Sequence, residues 1–460
     1  MLLWKIVLFG CWFVIAFNYA GYAVIAFIIN KLWPRRGGVP AAGGPGAASG
    51  RAAGLNADAA ELPHLTFIVA AYNEASCIAA KIQNCLAQDY PTGKVEWLFV
   101  TDGSTDETPD IVRSYANVRL LHEPGRAGKS AALNRAVAAA VHPVIVASDA
   151  NTMLNPDALR LMARHYADPQ VGGVAGEKKV VAAAAPRAGA AAADEGVAAA
   201  PRAGATAADE GVAAAPRAGA TAADRGVAPA PGDGADASVG EGEGLYWKYE
   251  SALKRIDSDF YSVVGAAGEL FSFRKNLYTP VDPSIILDDF VISMRIAAAG
   301  YRVIYEPGAC AVETPSFSME DERKRKVRIA AGGFQSVALL RGAVSPWRYP
   351  RLYYLYMSHR VLRWVASPFC LVLSVVAGAV LAGAALATHS AAHGAGGAMA
   401  GDLYVWLFAA QAAFYALALL PVKAGKLPRY FIFMNLSVLQ GFVRWCRGGQ
   451  SGAWEKARRA

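Results

Sequence analysis

Four short apolar runs, "LTFIVAAY", "KVEWLFVTD", "VRLLHE" and "PVIVASDA", follow one another in the first half of the chain. Each is closed by a polar loop, and three of them lead into stretches with helical spacing. Runs of this length bounded by turn residues predict strands, and their alternation with helices predicts a βαβ succession, an α/β fold with a mostly parallel sheet. Ligands of such sheets bind at the carboxyl ends of the strands. Acids stand at those ends: Glu74 after the first run, Asp102 after the second and Asp149 after the fourth.

Longer apolar runs frame this region. Within residues 1–33, more than twenty residues pass without a charge before Lys31, Arg35 and Arg36. That is too long for the apolar part of a signal peptide and predicts an uncleaved transmembrane anchor. Two further spans are predicted at 365–387 and 403–422. The connection 388–402 has no Lys or Arg, whereas Arg360, Arg363, Lys423 and Lys426 flank the pair. The positive-inside rule then places residues 34–364 in the cytoplasm, as expected of an integral protein of the cytoplasmic (inner) membrane. The apolar stretch 430–446 is interrupted by Asn435, Gln440 and Gly441 and is expected to lie in the interface, within a C-terminal membrane region 346–460.

Two segments have nothing to bury. Residues 34–62 form a Gly/Ala linker, and residues 182–243 carry the unit "ADEGVAAAPRAGATA", with Pro186, Pro201 and Pro216 in register with Asp194, Asp209 and Asp224. Recurrent Pro and a single Val per unit exclude a solenoid and predict a disordered insertion within a domain spanning 63–345.

Composition agrees with a chain that enters a membrane. Of 460 residues, 54% are hydrophobic, and the mean hydropathy is +0.25. The net charge of +8 collects at the membrane flanks, which points to membrane lipids and not to nucleic acid. The cysteines (Cys11, Cys77, Cys85, Cys310, Cys370 and Cys446) include no C-x-x-C pair, so no disulfide framework or zinc site is indicated.

Three carboxylates at strand ends can also be read singly as turn formers or caps. In "VTDGSTDETPD", Asp102 can accept hydrogen bonds from a base or sugar. In "ASDANTML", Asp149 and Asn151 can face one pocket, and one hard oxygen donor plus phosphate oxygens suits Mg²⁺ or Mn²⁺. "EPGRAGKSAALNRA" is not a phosphate loop of the Walker type, because position 123 is Glu. Lys129 at a helix start can still hold a diphosphate. In "SIILDDFVISMRIAAAG", Asp288 and Asp289 are either a helix cap or chemistry. "GLYWKYESALKRIDSDF" reads equally as a helix against the membrane or one packed on the domain.

Together, "AAYNE", "TDGSTDET", "GRAGKSAALN", "SDAN", "GAAGELFSFRK" and "LDDFVISMRIAAAGYRVIYEP" resemble, in order, the membrane-bound inverting glycosyltransferases of family 2, with a GT-A fold, over roughly 63–181 and 244–460. Cellulose, hyaluronan and poly-N-acetylglucosamine synthases belong to that family. The resemblance implies a nucleotide-sugar donor, expected to be a UDP-sugar, held by Tyr72, Glu74, Asp102, Lys129 and Asp149. It implies a divalent metal at Asp149 and Asn151, with Asn151 standing where the family has a second aspartate. "LDD" aligns with the family's Thr-Glu-Asp motif, making Asp289 the general base, kept ionised by the helix N-terminus, with Asp288 and Arg328 in support. An acceptor region would include Gly265, Gly268, Glu269 and Arg325. "RKVRI" departs from the family's Gln-x-x-Arg-Trp, with Arg325 for Gln and Ile329 for Trp, which removes an apolar sugar platform. The implied product is a polysaccharide; a single sugar added to a polyprenyl phosphate or lipid, or an inactive nucleotide-binding scaffold, are the alternatives. Product length on a gel separates the two enzymes.

Overall fold

The computed structural model describes residues 1–32, 62–180, 237–313, 318–393, 403–420 and 422–448. The linker, save Leu62, and the repeat up to residue 236 lie outside them.

The chain opens with helix α1 (Leu2–Leu32), interrupted by one π-helical turn at Phe17–Gly21. Strand β1 (Leu65–Ala71) follows, then α2 (Ile78–Leu86), β2 (Val95–Asp102), β3 (Arg119–Glu123), α3 (Lys129–Ala139), β4 (Val144–Asp149), β5 (Met153–Leu154) and β6 (Val171–Val180). After the gap come α4 (Ala237–Phe260), β7 (Leu270–Arg274), α5 (Asp288–Ala298), β8 (Arg302–Glu313) and α6 (Met319–Leu339). Helices α7 (Pro350–His389), α8 (Leu403–Leu419) and α9 (Lys426–Cys446) end the described chain.

The eight strands form one sheet in the order β3-β2-β1-β4-β7-β6-β8-β5. From β3 to β4 every pairing is parallel, as is β6 with β8, while β7 runs antiparallel to both its neighbours and β5 antiparallel to β8. The predicted parallel sheet is therefore a parallel half joined to a mixed one. Both faces are covered, which is why its central strands read as unbroken apolar runs. Phe67, Val69 and Phe99 point into one core, and Ile68, Leu98 and Val100 into the other.

Among the described residues two helices, α1 and α7, are long and apolar enough to cross a membrane. The span expected at 403–422 is shorter: α8 has 17 residues. At 1.5 Å per residue it reaches about 26 Å, under the roughly 30 Å of a bilayer core.

The predicted disordered insertion ends too late. Residues 237–243 are already helical in α4, where no Pro interrupts the chain. Helix α4 packs between the long apolar helices and the sheet. Its Glu250 and Asp257 are buried against His359, Arg360 and Arg363 of α7, with His359 Nδ1 2.5 Å from Asp257 Oδ2 and Arg363 paired to Glu250. Tyr249 adds a hydrogen bond from its hydroxyl to the Tyr19 carbonyl of α1 at 2.7 Å. Removing one partner from a buried ion pair costs about 3–5 kcal/mol, so this cluster fixes α4 between the two long apolar helices and the sheet.

Candidate active site

Strand β2 ends at Asp102, and the turn after it needs Gly103, whose φ is +69° and whose missing Cβ would fall 2.6 Å from Arg126 Cβ. The close approach lets Asp102 reach the next loop. Its Oδ2 accepts from the amides of Ala127 (2.9 Å) and Gly128 (2.6 Å), and its Oδ1 from Arg135 at 2.6 Å. Asp102 is 4% exposed, so its carboxylate faces the loop and not an open sugar site. Arg126 in turn stacks on the ring of Tyr72, 3.8 Å from its centroid. Glu74 organises the turn after β1. Its amide donates to Thr108 Oγ1 at 2.8 Å, and its carboxylate accepts from the Cys77 thiol at 3.2 Å.

The loop pinned by Asp102 delivers Lys129 to the first turn of α3. Its ammonium lies 2.6 Å from Asp149 Oδ1 at the end of β4. Helix α3 also docks on the segment leading to α5, through Ser130 Oγ to the Ile285 carbonyl (3.2 Å) and Asn134 Nδ2 to the Val281 carbonyl (2.7 Å). Asp288 and Asp289 thus come beside Lys129. A Cβ at Gly268 would sit 3.1 Å from Lys129 Nζ and 3.2 Å from Asp289 Oδ2, so only a hydrogen separates the backbone there from both groups. Lys129, Asp149, Gly268, Asp288 and Asp289 line one cavity of about 30 Å³, roughly the volume of one water.

The two acids of α5 are not caps. The N-cap position is Leu287, no side chain caps the helix, and Asp289 Oδ1 accepts only the adjacent Phe290 amide at 2.7 Å. Nor does the helix N-terminus hold Asp289 fully ionised, as expected from the sequence. Burial, and then the charge of Asp288, push its pKa up to about 7 against the opposing pull of Lys129. Asp149 is also raised, by burial only partly offset by Lys129. Lys129 loses charge stability to burial but gains more from Asp149, Asp288 and Asp289, so its pKa rises and it stays protonated.

Across the sheet, Lys178 of β6 bridges Glu269, at 2.5 Å, and Glu313 at the end of β8. Burial works against the Glu269 carboxylate, yet Lys178 holds it well below the usual range. Asn151 Nδ2 reaches Glu313 Oε1 at 3.4 Å. Trp247 of α4 stands among Lys178, Lys254 and Lys326, whose ammonium groups lie 4.8, 5.4 and 5.9 Å from its ring centroid.

The sequence profile of glycosyl transferase family 2 matches residues 66–184, and that of glycosyl transferase family group 2 matches residues 238–420. Poly-beta-1,6-N-acetyl-D-glucosamine synthase of Staphylococcus aureus is 25% identical over 323 residues, 68% of this chain and 64% of that protein. The chain belongs to the family 2 glycosyltransferases. It matches under two thirds of the length of its staphylococcal relatives. Beta-monoglucosyldiacylglycerol synthase of Nostoc sp. is 31% identical over 125 residues, 26% of this chain and 27% of that protein. In fold, the glycosyltransferase is similar to a mannosyltransferase from Pyrobaculum calidifontis, solved in complex with GDP-Man and Mn²⁺. The TM-score is 0.60 at 22% identity, over 95% of this chain and 98% of that one. The expected GT-A architecture is therefore the observed one.

Of the residues singled out in the sequence of this glycosyltransferase, Lys129, Asp149, Gly268, Asp288 and Asp289 converge. Gly265 has φ +86° and packs under Phe290, shaping the segment that carries Gly268. Asp102, Tyr72 and Glu74 build the loops around the cavity instead of lining it. Arg325 of α6 is engaged by Glu322, at 3.0 Å, in place of an open acceptor site. Arg328 is lowered to about 10, by burial and by the nearby Arg444, with Asp288 acting in the opposite sense. Among the described residues no three His, Cys, Asp or Glu side chains gather to hold a metal by themselves. Sequence reasoning missed Arg126, Arg135, Lys178 and Trp247. Arg126 and Arg135 lie inside the motif around Lys129, and Trp247 inside the helical stretch from Gly244, whereas Lys178 carries no local signal.

Proposed function

We propose that the protein transfers a hexose or N-acetylhexosamine from a nucleotide sugar, with inversion, to a growing polysaccharide. The observation that carries this reading is the juxtaposition of Asp289, Asp288, Lys129 and Asp149 around Gly268. An inverting transfer needs a base on the acceptor hydroxyl and a cation near the departing diphosphate. Asp289 Oδ2 beside the open backbone of Gly268 suits the first role. In it, the carboxylate takes the proton as the hydroxyl oxygen attacks the anomeric carbon opposite the nucleotide. Its pKa near 7 leaves it poised between accepting and releasing that proton at neutral pH. Lys129, kept protonated by three acids, suits the second.

Asp149 and Asn151 would hold Mg²⁺ or Mn²⁺. One carboxylate and one amide oxygen, completed by phosphate and water, fit a hard cation that takes few protein ligands. Bound there, such an ion would neutralise diphosphate charge. The similarity to a poly-N-acetylglucosamine synthase over 68% of the chain supports a polymeric acceptor and an N-acetylhexosamine as the transferred sugar. The similarity to a Nostoc glucolipid synthase favours a second reading, single transfer onto a lipid or polyprenyl phosphate. In either reading the catalytic domain would face the cytoplasm at the inner membrane, the side that Lys31, Arg360 and Arg363 favour by the positive-inside rule.

Asp289→Asn tests the assignment. Transfer of labelled sugar by reconstituted enzyme should fall roughly 10²–10⁴-fold while donor binding is retained. Undiminished turnover would return the acid pair to a structural role, and a ladder of products against a single band would separate polymer from lipid acceptor.

A further inference from the structure

We propose that the groove between α6 and α9 binds the phosphate of an anionic phospholipid headgroup at the membrane surface. This goes beyond the transfer reaction and does not depend on it. The two helices meet closely at Gly441, whose missing Cβ would fall 2.5 Å from Ala330 Cβ and 2.9 Å from the Val327 carbonyl. Beside that crossing opens a cavity of about 650 Å³, into which Arg323, Arg444 and Arg447 project alongside Val327, Leu439 and Val443.

Among the described residues, the charge in this groove has no acidic counterpart: no carboxylate lies within ion-pair distance of Arg323, Arg444 or Arg447, and Arg323 makes only a 3.5 Å contact to Gln440 Oε1. Elsewhere the chain pairs its basic groups closely, as at Lys178, Arg164 and Arg363. Three guanidinium groups around one concavity match a phosphate, whose oxygens accept their forked donors. The apolar wall made by Val327, Leu439 and Val443 would be wasted on a free ion but suits the glycerol and first methylenes of a lipid. Helix α9 also leaves Leu427, Leu436 and Val443 outward, at 63%, 51% and 45% exposure, and it packs on α8, an uncharged helix with Gln411 as its one amide side chain. This is the composition of a helix lying at the headgroup level. The opposite face of α6 fits against the segment before the acid pair, where a Cβ at Gly332 would meet Ile286 and Leu287 at 2.8 and 2.9 Å. A lipid seated in the groove would therefore brace the helix that backs Asp288.

Native mass spectrometry of the full chain, released from nanodiscs of equal phosphatidylglycerol and phosphatidylcholine, reads the lipids retained. The wild type should keep phosphatidylglycerol selectively. Arg444→Gln with Arg447→Gln should weaken that retention roughly 30-fold, from about a fivefold contribution per basic residue near an anionic surface. Lys324→Gln, which removes an exposed charge from the same helix outside the groove, should leave retention unchanged. Equal loss in the Lys324 variant would reduce the effect to diffuse charge. Unchanged retention in the double variant would overturn the site, and displacement of the lipid by millimolar inorganic phosphate would make it a free-phosphate site instead.

Discussion

On the parallel side of the sheet, from β3 to β4, the important acids stand where strands end. Asp102 and Asp149 are the last residues of β2 and β4, and each meets a partner at the start of α3: Gly128, in the loop after the neighbouring strand β3, or Lys129, on the helix that precedes β4. On the mixed side, from β7 to β5, the charged groups meet across the sheet. Lys178 lies inside β6, and its partners come from just ahead of β7 and from the end of β8. The first arrangement needs only adjacent parallel strands and the helix that follows them in the chain. The second needs three strands already paired, and its charges are buried, with Lys178 1% exposed and Glu313 2%. One side is set by local geometry and the other by the whole fold.

If that contrast holds, breaking the mixed side should damage stability first. Lys178→Met removes the cation that bridges Glu269 and Glu313, at a cost of about 3–5 kcal/mol. For a domain of this size it should lower the thermal midpoint by on the order of 10 °C. A thermal melt of the purified protein checks this, and an unchanged midpoint would show that the acids find another partner. A smaller loss is expected on the parallel side. Asp102→Asn turns an amide N–H toward one of the loop amides it now accepts from, costing about 1–3 kcal/mol. Because that loop presents Lys129, donor affinity measured by calorimetry should fall along with stability. A variant that loses stability but keeps donor affinity would separate the loop from the site. Deleting residues 184–236 should have the smallest effect. Lengthening a surface loop changes closure by only about 0.6 kcal/mol per doubling, so thermal midpoint and sugar transfer should both match the full chain. Loss of transfer with the midpoint kept would give the repeat a part in acceptor handling.

The same contrast separates what could be read in the sequence from what could not. Apolar runs ending in acids place Asp102 and Asp149 directly, and "LDD" ahead of a helical pattern marks Asp288 and Asp289. The Lys178 to Glu269 pair joins residues 91 apart, and nothing near either one announces the other. Trp247 lies four residues past the last of a low-complexity tract and gains its meaning only when α4 folds against Lys178. The protonation of Asp289 was misjudged for a related reason. The helix N-terminus is a local feature and argues for a low pKa, whereas burial and the adjacent Asp288, which raise it, belong to the folded site. The start of α4 at residue 237 was hidden by its own composition, because Gly and Ala continue from the repeat into the helix without a break.

The central claim, that Asp289 is the base of the transfer, is tested most directly by the pH dependence of kcat/KM, which reports groups on the free enzyme. A base works only when deprotonated, so a carboxyl raised to about 7 predicts activity that climbs tenfold per pH unit below that value and levels off above it. Lys129, held protonated by its three acids, adds no loss in the same window. A profile that is flat from pH 5 to 8, or that breaks near the ordinary aspartate value of about 4, would contradict the assignment.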